Sequence, residues 1–172
     1  MRSTTAENIA EHSHSVAMIS HAIAVIGIKL FGQKYDPAQI TVYAVYHDCG
    51  EVLTGDLPTP VKYANPKLRA AYKELEDGAA DSLLSMLPKE FRADFATILK
   101  PNDGRELEIV KAADKISAYI KCIEELKSGN TEFARAKKTI KASIDAINLP
   151  EVKYFMDNFV GAYELSLDEI NN

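Results

Sequence analysis

The chain has 172 residues, of which 47% are hydrophobic and 26% are charged, a balance typical of a globular protein rather than a disordered or collagen-like one. Its formal net charge of −5 argues against a nucleic-acid backbone as its main partner. Two cysteines are too few for a disulfide framework, no uninterrupted apolar run approaches the length of a membrane span, and the N-terminus lacks the apolar segment of a secretory signal. We therefore expect one soluble, cytoplasmic domain spanning residues 1–172, with neither a nucleic acid nor a membrane as partner.

Helical periodicity dominates the chain from its N-terminus onward, and no segment alternates apolar and polar residues as a strand does. Pro37 and Pro66 each follow a capping Asp or Asn, a combination that opens helices, whereas Gly32 and Gly55 are suited to end them. The pattern predicts an all-α protein with about seven helices and no dividing linker. The predicted helices lie at about 8–31, 37–52, 65–83, 88–98, 105–127, 131–147 and 150–163.

The first predicted helix carries one histidine on its apolar face. His12 lies four residues before Val16 and seven before Ile19, so these three side chains share one side of the helix. His14 and His21 lie on the opposite side. An inward-facing histidine is either a hydrogen-bonded core residue or a metal ligand, and this helix alone leaves both interpretations open.

The second predicted helix places further polar groups on a buried face. Four residues at helical spacing form its buried stripe: Ile40, Ala44, His47 and Glu51. Asp48 lies at the edge of the same stripe. Burying a carboxylate is costly unless it is paired, hydrogen-bonded or bound to a metal. A capping or salt-bridged cluster at the end of the helix is the structural alternative, but the combination favours a functional site.

The predicted helix 105–127 supplies another carboxylate. Asp114 falls on the same apolar stripe as Val110 and Ser117. Two imidazoles and two carboxylates suffice to hold a divalent transition metal and to leave positions for water and substrate. This donor set suits zinc, manganese, iron and cobalt alike. The candidate ligands of one such ion are therefore His12, His47, Asp48 and Asp114.

The order of a histidine, a His-Asp pair and a distant aspartate resembles the HD-domain metal-dependent phosphohydrolases, an all-α superfamily of helical bundles. A more specific resemblance lies in residues 51–63, Glu-Val-Leu-Thr-Gly-Asp-Leu-Pro-Thr-Pro-Val-Lys-Tyr, and in Ser-Leu-Asp-Glu-Ile at 166–170. Both segments are similar to the bacterial 5′-deoxynucleotidase branch. The resemblance covers nearly the whole chain and identifies it as a single HD domain.

This resemblance implies hydrolysis of nucleoside 5′-monophosphates, especially deoxyribonucleotides, to nucleoside and phosphate. It also implies one divalent metal, with cobalt, manganese and zinc as candidates, and a homodimer. Glu51 corresponds to the family's catalytic carboxylate. The substrate contacts correspond to His12, Asp48, Asp56, Leu57, Pro58, Thr59 and Asp114. From the residues alone, Asp56 could equally be a turn-forming residue before Leu-Pro.

Members of the family carry an Arg-Trp pair ahead of the first histidine, where Arg orients the phosphate and Trp packs on the sugar. The present sequence contains no tryptophan. We therefore expect slow hydrolysis of 5′-monophosphates and a weaker preference for deoxyribonucleotides than in relatives. Two alternative functions stay open: another HD hydrolase acting on triphosphates, cyclic dinucleotides or alarmones, and a non-catalytic helical binding module.

Overall fold

The computed structural model describes residues 3–55 and 65–170, which contain helices and turns but no strand. In chain order the helices are α1 (Ile9–Phe31), α2 (Pro37–Tyr46), α3 (Glu51–Thr54), α4 (Pro66–Met86), α5 (Arg92–Leu99), α6 (Arg105–Lys127), α7 (Ala134–Asp145), α8 (Pro150–Asn158) and α9 (Leu167–Ile170). Seven of these described helices have eight residues or more. The predicted all-α class and the predicted number of helices are confirmed.

Local sequence explains where the first two helices begin. The side chain of Asn8 accepts a hydrogen bond from the Glu11 N–H at 3.0 Å, and the Glu11 carboxylate accepts one from the Asn8 N–H at 3.0 Å. This reciprocal capping box fixes the first turn of α1, where His12 lies. Asp36 caps α2, as predicted, by accepting bonds from the N–H groups of Ala38 at 2.9 Å and Gln39 at 3.1 Å.

Helices α1 and α6 form the centre of the core. Helix α1 packs against α2, α6 and α8, and α6 also contacts α2 and α7. Large aliphatic side chains from four helices are almost completely buried between them: Val16, Ile23, Ile40, Ile109, Ile116, Ile123 and Val152. The site described below lies where α1, the end of α2 and the middle of α6 meet.

The second helix is shorter than the predicted range 37–52, so the predicted end of this helix is wrong. Helix α2 ends at Tyr46 instead of continuing to Val52, and residues 47–50 form a turn before α3. Backbone N–H groups here bond to carbonyls three residues earlier, at 2.9–3.1 Å, from Cys49, Glu51 and Leu53. Hydrogen bonds between residues three apart wind the chain more tightly than an α-helix, so the α-helical spacing rule does not hold across the turn at residues 47–50.

Helix α1 is long and apolar enough to cross a membrane by length and composition, with a mean hydropathy of 1.6 over 18 residues. This average is high although no uninterrupted apolar run in the helix is as long as a membrane span. Its Val16, Ile23 and Ala24 are completely buried against neighbouring helices. Core helices of soluble proteins pass the same test, and 44% of this window is buried inside the structure.

Candidate metal centre and active site

Three side chains from separate parts of the chain converge at one point. His12 comes from the first turn of α1, His47 follows the end of α2, and Asp114 comes from the middle of α6. One potential ligand atom from each residue lies within 4.8 Å of the other two. The centroids of the two imidazole rings are 5.4 Å apart. A single cation can therefore be reached by all three side chains after small adjustments.

Asp48 lies beside both imidazoles. Its Oδ2 is 3.5 Å from Nε2 of His12 and 3.1 Å from Nε2 of His47. On the other side, Oδ1 of Asp114 is 3.1 Å from Nε2 of His12. The four residues that the sequence predicts as ligands thus form one contiguous group. With neutral imidazoles the group carries two negative charges, which favours a cation at its centre.

His47 contains an orphaned buried nitrogen. Its Nδ1 is 2.7 Å from the carbonyl oxygen of Ala44, and because a carbonyl only accepts, Nδ1 carries the proton. The lone pair of neutral His47 then lies on Nε2, which is buried. Its neighbour at 3.1 Å is Oδ2 of Asp48, an acceptor, so neutral Nε2 receives no hydrogen bond among the described residues. A buried polar atom without a hydrogen bond is costly. A bond to a metal satisfies such an atom, so the donor set fits a cation.

The neighbouring carboxylates raise the pKa of both histidines. For His12, the hydrogen bond with Asp114 is the largest effect on the pKa and, with nearby negative charges, outweighs burial. For His47, burial is the largest single effect and lowers the pKa. This effect is outweighed by the adjacent Asp48, the backbone carbonyl of Ala44 and the charge of Asp114, so the pKa of His47 is raised overall. The site therefore stabilises positive charge in place, whether a proton or a metal ion carries it.

The group lies at the rim of the core and is open on one side. The exposed fractions of the side chains are 15% for His47, 20% for His12, 25% for Asp48 and 47% for Asp114. The predicted burial of Asp114 is therefore wrong. It lies between the buried Ala113 and the exposed Lys115, so it marks the edge of the apolar stripe. An open edge gives a substrate access to the cluster.

Glu51 begins α3 directly after the turn that carries His47 and Asp48. Its N–H donates to the carbonyl of Asp48 at 2.9 Å, and its side chain is half-buried. The end of α3 is held as well, because the Tyr72 hydroxyl on α4 donates to the carbonyl of Gly55 at 2.9 Å. Glu51 is therefore carried on a short helix that is attached at both ends.

Four of the predicted substrate contacts, Asp56, Leu57, Pro58 and Thr59, lie outside the described residues. One neighbour of the cluster was missed by sequence reasoning. Oε2 of Glu7 is 3.9 Å from Nδ1 of His12. Glu7 precedes α1, where helical periodicity says nothing about direction. The only available signal was an acidic residue close to the capping segment.

Comparison with solved structures defines the fold. An HD-domain phosphohydrolase from Listeria innocua matches with a TM-score of 0.84 at 24% sequence identity, covering 99% of this chain and 83% of that one. A protein from Pyrococcus horikoshii matches with a TM-score of 0.66 at 22% identity, covering 93% of this chain and 86% of that one. The helical bundle is therefore the HD-domain phosphohydrolase fold.

Comparison with sequences defines the family. The model of the family described as "5′-deoxynucleotidase YfbR-like" matches residues 1–163. A 5′-deoxynucleotidase from Vibrio parahaemolyticus is 51% identical, covering 99% of this chain and 89% of that protein. One from Shewanella oneidensis is 46% identical with the same coverage. The chain belongs to the 5′-deoxynucleotidase YfbR-like family, and the resemblance predicted from its sequence is confirmed.

Proposed function

We propose that the protein is a 5′-deoxynucleotidase that hydrolyses deoxyribonucleoside 5′-monophosphates to nucleoside and inorganic phosphate. The observation that carries the proposal is the orphaned Nε2 of His47 within a cluster of imidazoles and carboxylates. The family match and the names of relatives with 51% and 46% identity support the substrate class. An HD domain covering residues 1–172 is part of the same proposal.

Four residues would hold one divalent cation in this enzyme: His12, His47, Asp48 and Asp114. When bound, such an ion lowers the pKa of a water molecule and neutralises negative charge on the phosphoryl oxygens. The hydrogen bond from Nδ1 of His47 to Ala44 keeps Nε2 directed into the cluster. The mixed nitrogen and oxygen donors suit cobalt, manganese and zinc, and we propose that the metal is one of these three.

Glu51 is the proposed proton-transfer group. Hydrolysis adds a water oxygen to phosphorus, breaks the bond between phosphorus and the 5′-oxygen, and delivers a proton to that leaving oxygen. A carboxylate one turn beyond the ligands is suited to accept the proton of the attacking water and to return it to the leaving group. Phosphoryl transfer depends mostly on positioning and charge compensation, so this small set of residues is sufficient.

The segment after α3 is the proposed substrate-binding element. The family resemblance assigns contacts with the nucleotide to Asp56, Leu57, Pro58 and Thr59. It assigns further contacts to the cluster residues His12, Asp48 and Asp114. A carboxylate such as that of Asp56 can accept a hydrogen bond from a sugar hydroxyl.

We also infer a homodimer located in the cytoplasm. Large apolar side chains remain exposed on the described surface, including Val52 at 71% and Met86 at 69%, and burying such side chains between two subunits would remove apolar area from water. Cys49 and Cys122 are free thiols, as is usual in a reducing compartment. Sedimentation equilibrium tests the dimer, and cell fractionation tests the location.

A nucleotide screen tests the proposed activity. The purified chain is incubated with dAMP, dTMP, AMP, a deoxynucleoside triphosphate and a cyclic dinucleotide, with and without Co²⁺, Mn²⁺ or Zn²⁺, and the products are quantified. We expect phosphate release from the deoxynucleoside monophosphates only when metal is present. Hydrolysis of the triphosphate or cyclic dinucleotide alone would indicate another HD hydrolase. Binding without hydrolysis of any substrate would indicate a non-catalytic module.

A further inference from the structure

A buried carboxylate on α6 holds the segment that precedes α1. Glu125 is only 2% exposed, and its two oxygens accept bonds from the Thr4 N–H at 2.9 and 2.8 Å and from the Thr4 hydroxyl at 2.7 Å. The side-chain amide of Asn130 donates to the same carboxylate at 2.8 Å. Lys121 lies 3.7 Å from it and donates to the carbonyl of Thr5 at 3.1 Å. We call these contacts the N-terminal tether.

The tether fixes the main chain and not merely a side chain. A buried carboxylate is stable only where hydrogen bonds and positive charges compensate it. Two of the donors to Glu125 belong to Thr4, its backbone N–H and its hydroxyl. Bonds to an ionised acceptor are stronger than bonds between neutral groups. The segment before α1 therefore has a defined position against α6.

Glu7 lies between two fixed points. The tether holds the chain at Thr4 and Thr5, and the capping box of α1 holds it again at Asn8. Within this short span, Oε2 of Glu7 is 3.9 Å from Nδ1 of His12. The other nitrogen of the ring faces the opposite way, toward the carboxylates of the cluster.

The two histidines of the cluster therefore point the same ring nitrogen inward, although only His47 makes a hydrogen bond through Nδ1. In His47, Nδ1 meets the carbonyl of Ala44 and Nε2 is directed into the cluster. In His12, Nδ1 faces Glu7 and Nε2 is directed into the cluster. A histidine that binds metal commonly presents its other N–H to a carbonyl or a carboxylate, which fixes the ring and increases its basicity.

We propose that Glu7 is a positioning residue for His12, and that the N-terminal tether sets the position of Glu7; this inference rests on the proposed metal function of His12. At 3.9 Å the contact has the length of an ion pair rather than of a hydrogen bond. Glu7 therefore orients the ring through its charge. Glu125, eleven residues beyond Asp114 on α6, affects the metal site indirectly by holding the segment that carries Glu7.

Binding of the metal alone tests the role of Glu7. Mn²⁺, Co²⁺ and Zn²⁺ are titrated by calorimetry into the metal-free full chain and into Glu7→Gln, which keeps the side-chain length but removes the charge. We expect about 10–100-fold weaker binding in the variant, the range found when an outer partner of a metal ligand is replaced. We also expect its deficit in turnover to shrink as the metal concentration rises. A merely structural role would lower the Tm without changing the affinity for the metal.

A second set of variants tests the tether. Glu125→Gln is expected to weaken metal binding in the same direction as Glu7→Gln. Thr4→Pro removes the backbone N–H that donates to Glu125. This variant is used instead if Glu125→Gln does not fold. Glu124→Gln, an exposed neighbour on the same helix, is the matched control and should bind metal like the wild type. In the Glu7→Gln background, Glu125→Gln should add less than about twofold, because both act through one contact.

Three outcomes would overturn the inference. Unchanged metal affinity in Glu7→Gln would remove Glu7 from the site. Full additivity of Glu7→Gln and Glu125→Gln would show that the tether does not act through Glu7. Failure of the wild type to bind any of the three metals would overturn the proposed metal site and this inference with it. That last result differs from a failure of the inference about Glu7 alone. If the metal site itself is wrong, the wild type and Glu124→Gln also fail to bind metal, whereas otherwise both bind it normally.

Discussion

At the scale of single residues, the chemistry of the cluster depends on which ring nitrogen faces inward. The bond from Nδ1 of His47 to Ala44 leaves Nε2 as the only nitrogen with a lone pair for a metal. His12 presents its Nε2 to Asp48 and Asp114. The carboxylates compensate positive charge at the same point, which explains why the pKa of each imidazole is raised despite partial burial.

Replacing His47 with alanine is expected to lower metal affinity by orders of magnitude. The substitution removes a nitrogen donor and leaves the two carboxylates poorly compensated. Elemental analysis of the purified variant and a metal titration provide the measurement. His14→Ala is the control, because His14 is exposed on the opposite face of α1 and should retain full metal content. A fully metallated His47→Ala protein would contradict the assignment.

The variant Glu51→Gln is expected to retain its metal but to lose about 10²–10⁴-fold in kcat, the usual contribution of a general acid or base. Glutamine keeps the shape of the side chain and cannot accept the proton of the attacking water. Steady-state kinetics with dAMP at saturating metal measures the loss. Glu74→Gln on the exposed side of α4 makes the same change of charge away from the cluster. If kcat is unchanged in Glu51→Gln, Glu51 has no part in proton transfer.

At the scale of the helices, Tyr35 joins the α1–α2 connection to the rest of the bundle. Its hydroxyl donates to Oε1 of the completely buried Glu151 on α8, and Nε of Arg105 on α6 donates to the same hydroxyl at 3.4 Å. The ring passes directly over Gly27 of α1. This packing keeps the end of α1 and the start of α2 in register. Helix α1 carries His12, and α2 leads into the turn that carries His47 and Asp48.

Gly27→Ala is expected to destabilise the fold by about 1–3 kcal/mol, the usual cost of overpacking. A Cβ atom at this position would lie 2.6 Å from Cε2 of Tyr35. The ring cannot move away freely, because its hydroxyl is bonded to Glu151. Urea unfolding provides the measurement.

Gly78→Ala is the matched control for this prediction. Gly78 also lies within a helix, but a Cβ atom there meets nothing within 4 Å. Alanine should therefore stabilise α4 by up to about 1 kcal/mol through its higher helix propensity. Equal stabilisation in both variants would show that Tyr35 does not restrict position 27.

At the scale of the whole molecule, the tether connects the start of the chain to α6. Hydrogen bonds from the backbone of Thr4 are the main reason why the pKa of Glu125 is lowered from 4.5 to about 2. The carboxylate therefore binds a proton less readily in the folded protein than in the unfolded chain. Its contribution to stability is fully present above pH 4.5 and is lost as the pH falls toward 2.

The difference in unfolding free energy between the wild type and Glu125→Gln is therefore expected to shrink as the pH falls from 4.5 toward 2. Glutamine has no charge to lose in this range. Urea unfolding at closely spaced pH values measures the difference, and Glu124→Gln serves as the control for general loss of a carboxylate. A difference that stays constant over the whole window would show that Glu125 does not titrate with a lowered pKa.

Local features of the sequence were sufficient for much of the fold and part of the site. Periodicity placed α1 and α6 nearly to the residue, because a helix repeats a local geometry. The same reasoning failed after Tyr46, where three-residue hydrogen bonds replace the α-helical pattern. Periodicity also predicted too much burial for Asp114. It gives the direction of a side chain, but not how much of the helix surface the neighbouring helices cover.

By itself, the sequence determined the helical class, the inward direction of His12 and the residue types that suit a divalent metal, since these follow from spacing and chemistry within single segments. Only the tertiary structure decided which atoms meet. The orphaned Nε2 of His47 depends on the carbonyl that Nδ1 meets in the folded chain. The contact between Thr4 and Glu125 spans 121 positions. Such contacts cannot be derived from a repeating local pattern, because they exist only once distant helices have packed against one another.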